Sequence, residues 1–551
     1  VLVNLFRLLI PALLLAPNPA TGNAQRVPDH GTIVILVGAE PGTPIPTLLS
    51  NKANADISDL LFLRLAQPGP GLTTSDERSF EPRLARSWSR RDSLTLVFEL
   101  DPRARWHDGV PVTARDVVWS FDRMRNPAVD PARALLLRYL AGVTAENDHR
   151  VVLRFRRAYA QQFFDATFHV QPLPAHLVDT IPADRFAASA FVRQPVGNGP
   201  YRWVRREPGR QLELAAESEF FLGAPKLDRV IVLTARDPDA QMNLLLDGTA
   251  DAFEAVPPVS GPPRLSANPA LRLRALASLT VVYLLFNQRA YADRSRAHPI
   301  LGDVQIRRAI AMAIDRSTVL RSTFGAYGQL ADAPAPLAHW TRPLVPKGPR
   351  YDPAAARALL ARQGWVDHDG DGILEKDGVP LVLRLNVIGT SAIRLTIAPQ
   401  IQEQLRKVGV RLDIVRLDGA VWNERRNKGE FDIDLASAAM DPSPSGIVQS
   451  WSCAGRNGSN VGQYCSPPVD SLFDRAIYSS RNVDAAWRAA YAGLQADVPA
   501  VFLVAPTALF ALHSRYRNVT LRLESYYADI WRWSVDPAHR IARDGTGPSL
   551  R

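Results

Sequence analysis

The segment 80–124, FEPRLARSWSRRDSLTLVFELDPRARWHDGVPVTARDVVWSFDRM, constrains this chain more than any other. Within it Leu94, Leu96, Phe98 and Leu100 alternate with Thr95, Val97 and Glu99, the period of a strand with one buried face. Asp101-Pro102 ends the strand. His107-Asp108-Gly109 predicts a turn, because glycine takes a positive φ freely and aspartate bonds nearby backbone. Thr113 is placed to cap a helix, with Asp116 three residues on as the partner that reaches back to the cap. Val112 and Val117 occupy the staple positions around that cap, and Val117, Val118, Phe121 and Met124 form a helical apolar stripe.

The ordered pattern LA.SW…L.F.L…WHDG.P.TA.DVV.SF in this segment resembles the signature of the family 5 extracellular solute-binding proteins, the dipeptide, oligopeptide and nickel receptors of ABC importers. Gly197-Asn198-Gly199-Pro200-Tyr201 resembles the family's GTGPY turn, and RRAIAMAIDR at 307–316 resembles its R.A…AIDR helix. Ile45-Pro46-Thr47 departs from the family's usual Leu-Asp-Pro. The resemblance implies an α/β fold of the bilobal, type II (Venus-flytrap) periplasmic-binding-protein kind with an additional inserted subdomain. It divides the chain into lobe I (31–55, 192–283 and 510–540), the insert (56–191), lobe II (284–509) and a loose tail (541–551). Ser278–Asn287 and Val501–Val504 are the strands expected to cross between the lobes.

The rest of the chain fits an exported protein. Arg7, the apolar run 8–15 and Gly22-Asn23-Ala24 read as a secretory signal cut after Ala24, and the run is too short to span a bilayer. Of 551 residues, 46% are hydrophobic and 22% charged, which suits a globular chain. The net charge of +10 raises nucleic acid as a partner, but the arginines are dispersed and form no basic tract, so none is expected. Cys453 and Cys465 are the only cysteines; in an exported chain they suggest a disulfide, and the alternative of a metal pair is disfavoured because no His lies near them. Asp367, Asp369, Asp371 and Gly372 match the first half of an EF-hand loop, but Gly378 stands where its closing Glu belongs, so a plain turn and no metal are expected.

No catalytic signature is present. There is no GxSxG elbow, no HExxH, and no Gly-Lys pair for a phosphate loop. Neither an enzyme nor a cofactor is expected; a Ser-His-Asp set assembled only in space, as in an exported hydrolase, stays open. The resemblance instead implies capture of a peptide-like solute in the interlobe cleft, delivery to the membrane subunits of an ABC permease, a periplasmic location and a monomer. A metal chelate, an opine or another small solute is the alternative cargo, and an interaction or chaperone role for the same cleft is a further one.

The family's amine-binding Asp matches Asp441, beside Met440, while the family's Trp three residues earlier is Ala438 here. Asp441-Pro442 also reads as a plain turn. Trp422 and Arg426 resemble cleft-lining residues of oligopeptide receptors, with a shorter spacing. Thr280 and Tyr283 are placed on the crossing strand beside the cleft, and Asn54 ahead of a helix expected over 56–66. Trp451 is expected to be core.

Overall fold

The structure, a computed structural model, describes residues 31–49, 52–479 and 481–545. The expected signal at 1–24 and the end of the tail lie outside the described residues. Among the described residues no helix is long and apolar enough to cross a membrane.

The opening segment folds as its pattern predicts. Strand Thr95–Leu100 pairs with Ala85–Asp92 and Arg150–Phe155, and Leu140–Asn147 completes a four-stranded antiparallel sheet. Leu96, Phe98 and Leu100 are fully buried against Val117, Phe121 and Met124 of helix Ala114–Met124, each large side chain contributing about 2 kcal/mol of apolar burial. Gly109 holds the turn at φ +87°. The Asp116 carboxylate accepts the Thr113 N–H at 2.8 Å, so the expected cap partner is in place. It also accepts Trp106 Nε1–H at 3.3 Å and the Ala175 N–H at 2.9 Å, which makes it the buried hub of the insert.

Two α/β halves flank one long strand. In the first half, Ala252–Phe253, Gly31–Val37 and Leu227–Thr234 run parallel, extended by antiparallel Gln211–Ala216 and Tyr201–Glu207. In the second, Arg411–Leu417, Val382–Ile388 and Ile433–Ala439 run parallel and Thr280–Phe286 is antiparallel to the last. Strand Ala500–His513 belongs to both. Its first residues pair with Thr280–Phe286, and its last, from Thr507, pair with Leu271–Ala277. The handover therefore falls near 277–280 and 505–507, earlier than the expected breaks at 283 and 509.

Two boundaries differ from expectation. The first helix is Lys52–Leu61, not 56–66; its Ile57, Leu60 and Leu61 share a core with Ile33, Ile35 and Val37, so the break placed at 56 falls inside a lobe I helix. Residues 541–545, expected to be loose, form a turn whose buried Asp544 accepts the Thr32 N–H at 2.8 Å and pairs with Arg515. Cys453 and Cys465 are joined as a disulfide beside helix Pro467–Tyr478.

The insert leans on lobe II. Helix Pro131–Leu136 packs on helix Ile447–Trp451, and Leu136 is buried in the lobe II core. The rings of Tyr139 and Tyr159 lie 4.5 and 5.0 Å from Tyr478, and Arg138 pairs with Asp474 at 3.0 Å.

Candidate ligand-binding cleft

In open α/β sheets the crevice outside the carboxyl ends of parallel strands is the preferred binding position. Here both halves present such ends. Val382–Ile388, Arg411–Leu417 and Ile433–Ala439 lead respectively to helix Ala392–Arg406, helix Gly419–Lys428 and Met440-Asp441. Across from them, Ala252–Phe253 leads to Glu254 and Gly31–Val37 leads toward helix Lys52–Leu61. Lys52 Nζ lies 2.5 Å from Asp56 and 3.5 Å from Glu254, over the Tyr526 ring at 4.1 Å.

Asp441 stands where lobe II meets the insert. Its Oδ1 accepts the Ser443 N–H at 2.8 Å, the local turn that Asp-Pro predicts. Gly446 makes room for it: a Cβ there would lie 2.1 Å from the Asp441 Cβ. Oδ2 faces His169 Nδ1 of the insert at 3.7 Å, and His169 Nε2 lies 3.1 Å from Asp165, which accepts the Tyr159 hydroxyl at 2.7 Å. Ser443 donates across the same seam to Gln161 Oε1 at 3.0 Å. Burial pushes the Asp441 carboxyl up to about 6, with the nearby His169 opposing the shift. His339 donates to the Asp441 carbonyl at 2.6 Å, and its own burial pulls it down to about 4, so its imidazole is neutral at neutral pH.

A second cluster centres on Asp434. Trp422 and Arg426 sit four residues apart on helix Gly419–Lys428, whose N-terminus Asp418 caps. Trp422 Nε1–H donates to Asp434 at 2.8 Å and Arg426 Nε–H at 3.1 Å. The guanidinium groups of Arg394 and Arg426 each lie 5.3 Å from the Trp422 ring centre. Burial raises the Asp434 carboxyl, opposed by Arg426 and Arg394. The Tyr283 hydroxyl meets Arg426, while its ring packs at 5.6 Å from Trp451 and 5.9 Å from Phe502. Trp451 is core, 1% exposed.

The expected residues thus fall into three places. Trp422, Arg426 and Tyr283 come together around Asp434. Thr280, paired with Ala439, and Met440, whose N–H donates to the Leu279 carbonyl at 2.7 Å, adjoin Asp441 at the strand end. Asn54 lies apart in lobe I. It is inside the first turn of helix Lys52–Leu61 rather than ahead of it, and its Oδ1 accepts the Gly42 N–H at 2.7 Å. His169, Asp165, His339 and Arg394 were not anticipated; they lie far from Asp441 along the chain and no local pattern marks them. Asp434 stands amid the apolar residues Ile433, Leu435 and Ala436, and that position was the available signal. In the acidic turn, Asp367 accepts the N–H groups of Gly370 and Gly372 at 2.7 and 3.0 Å, the bonding of a tight turn.

Residues 79–459 match the family described as bacterial extracellular solute-binding proteins, family 5 middle. The oligopeptide-binding protein AppA of Bacillus subtilis is 24% identical over 527 residues, covering 94% of each chain. Its structure in complex with a nonapeptide matches with a TM-score of 0.84 at 23% identity, over 92% of this chain and 99% of that one. A putative ABC transporter peptide-binding protein of Brucella ovis is 28% identical over 406 residues, 70% of this chain and 71% of its own. NikZ from Campylobacter jejuni, in complex with Ni(L-His), matches with a TM-score of 0.80 at 23% identity, over 92% of this chain and 99% of that one. The two structural likenesses carry the fold, two lobes about a cleft, and the match over 79–459 carries the family. The chain belongs to the family 5 bacterial extracellular solute-binding proteins, and is a solute-binding protein rather than an enzyme.

Proposed function

We propose that this protein captures a peptide-like solute between its lobes in the periplasm and delivers it, as a monomer, to the membrane subunits of an ABC importer. The observation that carries this reading is the polar wall along strand Ile433–Ala439, with Asp434, Trp422 and Arg426 near its start and Asp441 just past its end, facing His169 of the insert. Met440, Thr280 and Tyr283 complete that wall, and Asn54 belongs to the facing lobe. The relatives named for oligopeptides and for an ABC transporter support cargo and partner alike.

A non-peptide solute is the second reading. It is favoured by Ala438, which leaves the wall without the aromatic ring that peptide receptors of the family carry there, and by the likeness to NikZ. Native mass spectrometry of the purified protein tests the choice. A ladder of co-purifying peptide masses is expected; a single chelate or opine mass would overturn the peptide reading.

A further inference from the structure

The charges in the cleft are arranged in the opposite sense to that needed by a ligand with a free amino terminus. Asp441 already faces a nitrogen base from the other wall, His169 Nδ1 at 3.7 Å. The His169 ring is held in place by Phe164 and Phe168, with ring centroids 5.2 and 5.8 Å away, and by Asp165 at its other nitrogen. The ring thus occupies the approach to Asp441 Oδ2 that a ligand ammonium would need. The other Asp441 oxygen is taken by the Ser443 N–H.

The cationic side shows a surplus. Arg394 and Arg426 share one nearby carboxylate, Asp434, and that group is filled by Arg426 and Trp422. Arg394 is 8% exposed, yet its Nε has no hydrogen-bond partner; its guanidinium lies 5.3 Å from the Trp422 ring centre and donates one long bond, 3.5 Å, to the Ser437 carbonyl. It stands in the first turn of the fifteen-residue helix Ala392–Arg406, where free N–H groups and the helix dipole also favour an anion. A buried guanidinium N–H without an acceptor costs free energy until an acceptor arrives. Ser437 and Asp441 are four residues apart, about 13 Å along extended chain, so the two ends suit a short extended solute.

We propose that the cleft selects solutes that carry an anionic group and lack a free α-ammonium, the anion being held by Arg394 beside Arg426 and Tyr283, with the position before Asp441 closed by His169. This rests on the peptide-like reading above and names the class of solute within it. The test uses the full mature chain and one tripeptide, Ala-Phe-Ala, in four forms: free or acetylated at the amine, carboxylate or amide at the other end. Competition read by native mass spectrometry should rank the acetylated carboxylate first and the free-amine amide last, at least about tenfold apart. His169→Gln should bring the free-amine forms toward parity. Arg394→Gln should erase the preference for a carboxylate, and Arg394→Lys should keep part of it; thermal melts of each variant establish that it is folded. Binding led by the free-amine amide would overturn the inference and leave the peptide-like reading standing. Binding of none of the four would sink both.

Discussion

Two buried arginines in this molecule face opposite circumstances. Arg515, 1% exposed, has a partner on every arm: Asp544 at 2.5 Å, Asp251 at 3.3 Å, and the Thr32 carbonyl and Tyr516 hydroxyl at 2.8 and 2.7 Å. Those partners come from strand Gly31–Val37, from the residue before Ala252–Phe253 and from the turn Ala542–Gly545, so the cluster ties that turn to lobe I. Arg394 is nearly as buried and has an orphan nitrogen. Proteins rarely keep an unpaired buried charge without a use for it. The contrast separates a charge that holds the fold from one that awaits a solute.

The contrast is breakable at both ends. Arg515→Met leaves Asp544 in the core without its cationic partner and Asp251 with Arg543 alone, and should lower stability by about 3 kcal/mol in urea unfolding; a loss below about 1 kcal/mol would deny it the structural role. Breaking the cross-link with paired Cys453→Ser and Cys465→Ser changes, which frees a loop with a sequence separation of 12, should cost about 3 kcal/mol by the same measurement. Arg394→Met should move stability by less than about 1 kcal/mol in either direction, since no paired carboxylate is left behind, while solute affinity falls. A large loss of stability there would place Arg394 with Arg515.

The smallest expected effect is in pH. Asp441, pushed from 3.8 up to about 6, contributes stability below its unfolded value that is lost as pH rises through about 6. His339, pulled from 6.5 down to about 4, contributes stability above its unfolded value that is lost as pH falls toward about 4. The two slopes oppose each other over nearly the same window, so the net slope in the parent protein is small. Asp441→Asn should leave stability rising with pH between about 4 and 6.5, and His339→Gln should leave it falling. Melting temperatures across that range that show the same slope in both variants would refute the assignment.

The fold was legible where the chain speaks locally. Alternation at 94–100 and the cap at Thr113 each depend on residues within a few positions of one another, and each is found in place. The helix at 52–61 was misplaced because Lys52 and Asn54 look like loop residues until Asp56, Glu254 and Gly42 supply their partners. The cleft was legible only in part for the same reason. Asp441 and Trp422 could be found from nearby patterns, but His169 acquires its meaning from a carboxylate 272 positions away. Arg394 acquires its meaning from what is missing around it, which no pattern in one dimension records.

Strand Ala500–His513 has a mechanical consequence. Its two ends are clamped by backbone hydrogen bonds into different sheets, and its midpoint is Pro506, which has no N–H to offer a neighbour. Beside it runs the short link between Leu271–Ala277 and Thr280–Phe286, tethered by the Ser278 hydroxyl to the Pro506 carbonyl at 2.6 Å. Under the function proposed above, closure about this level changes the relative attitude of two outer surfaces, which a docking partner can sense without ever touching the cargo.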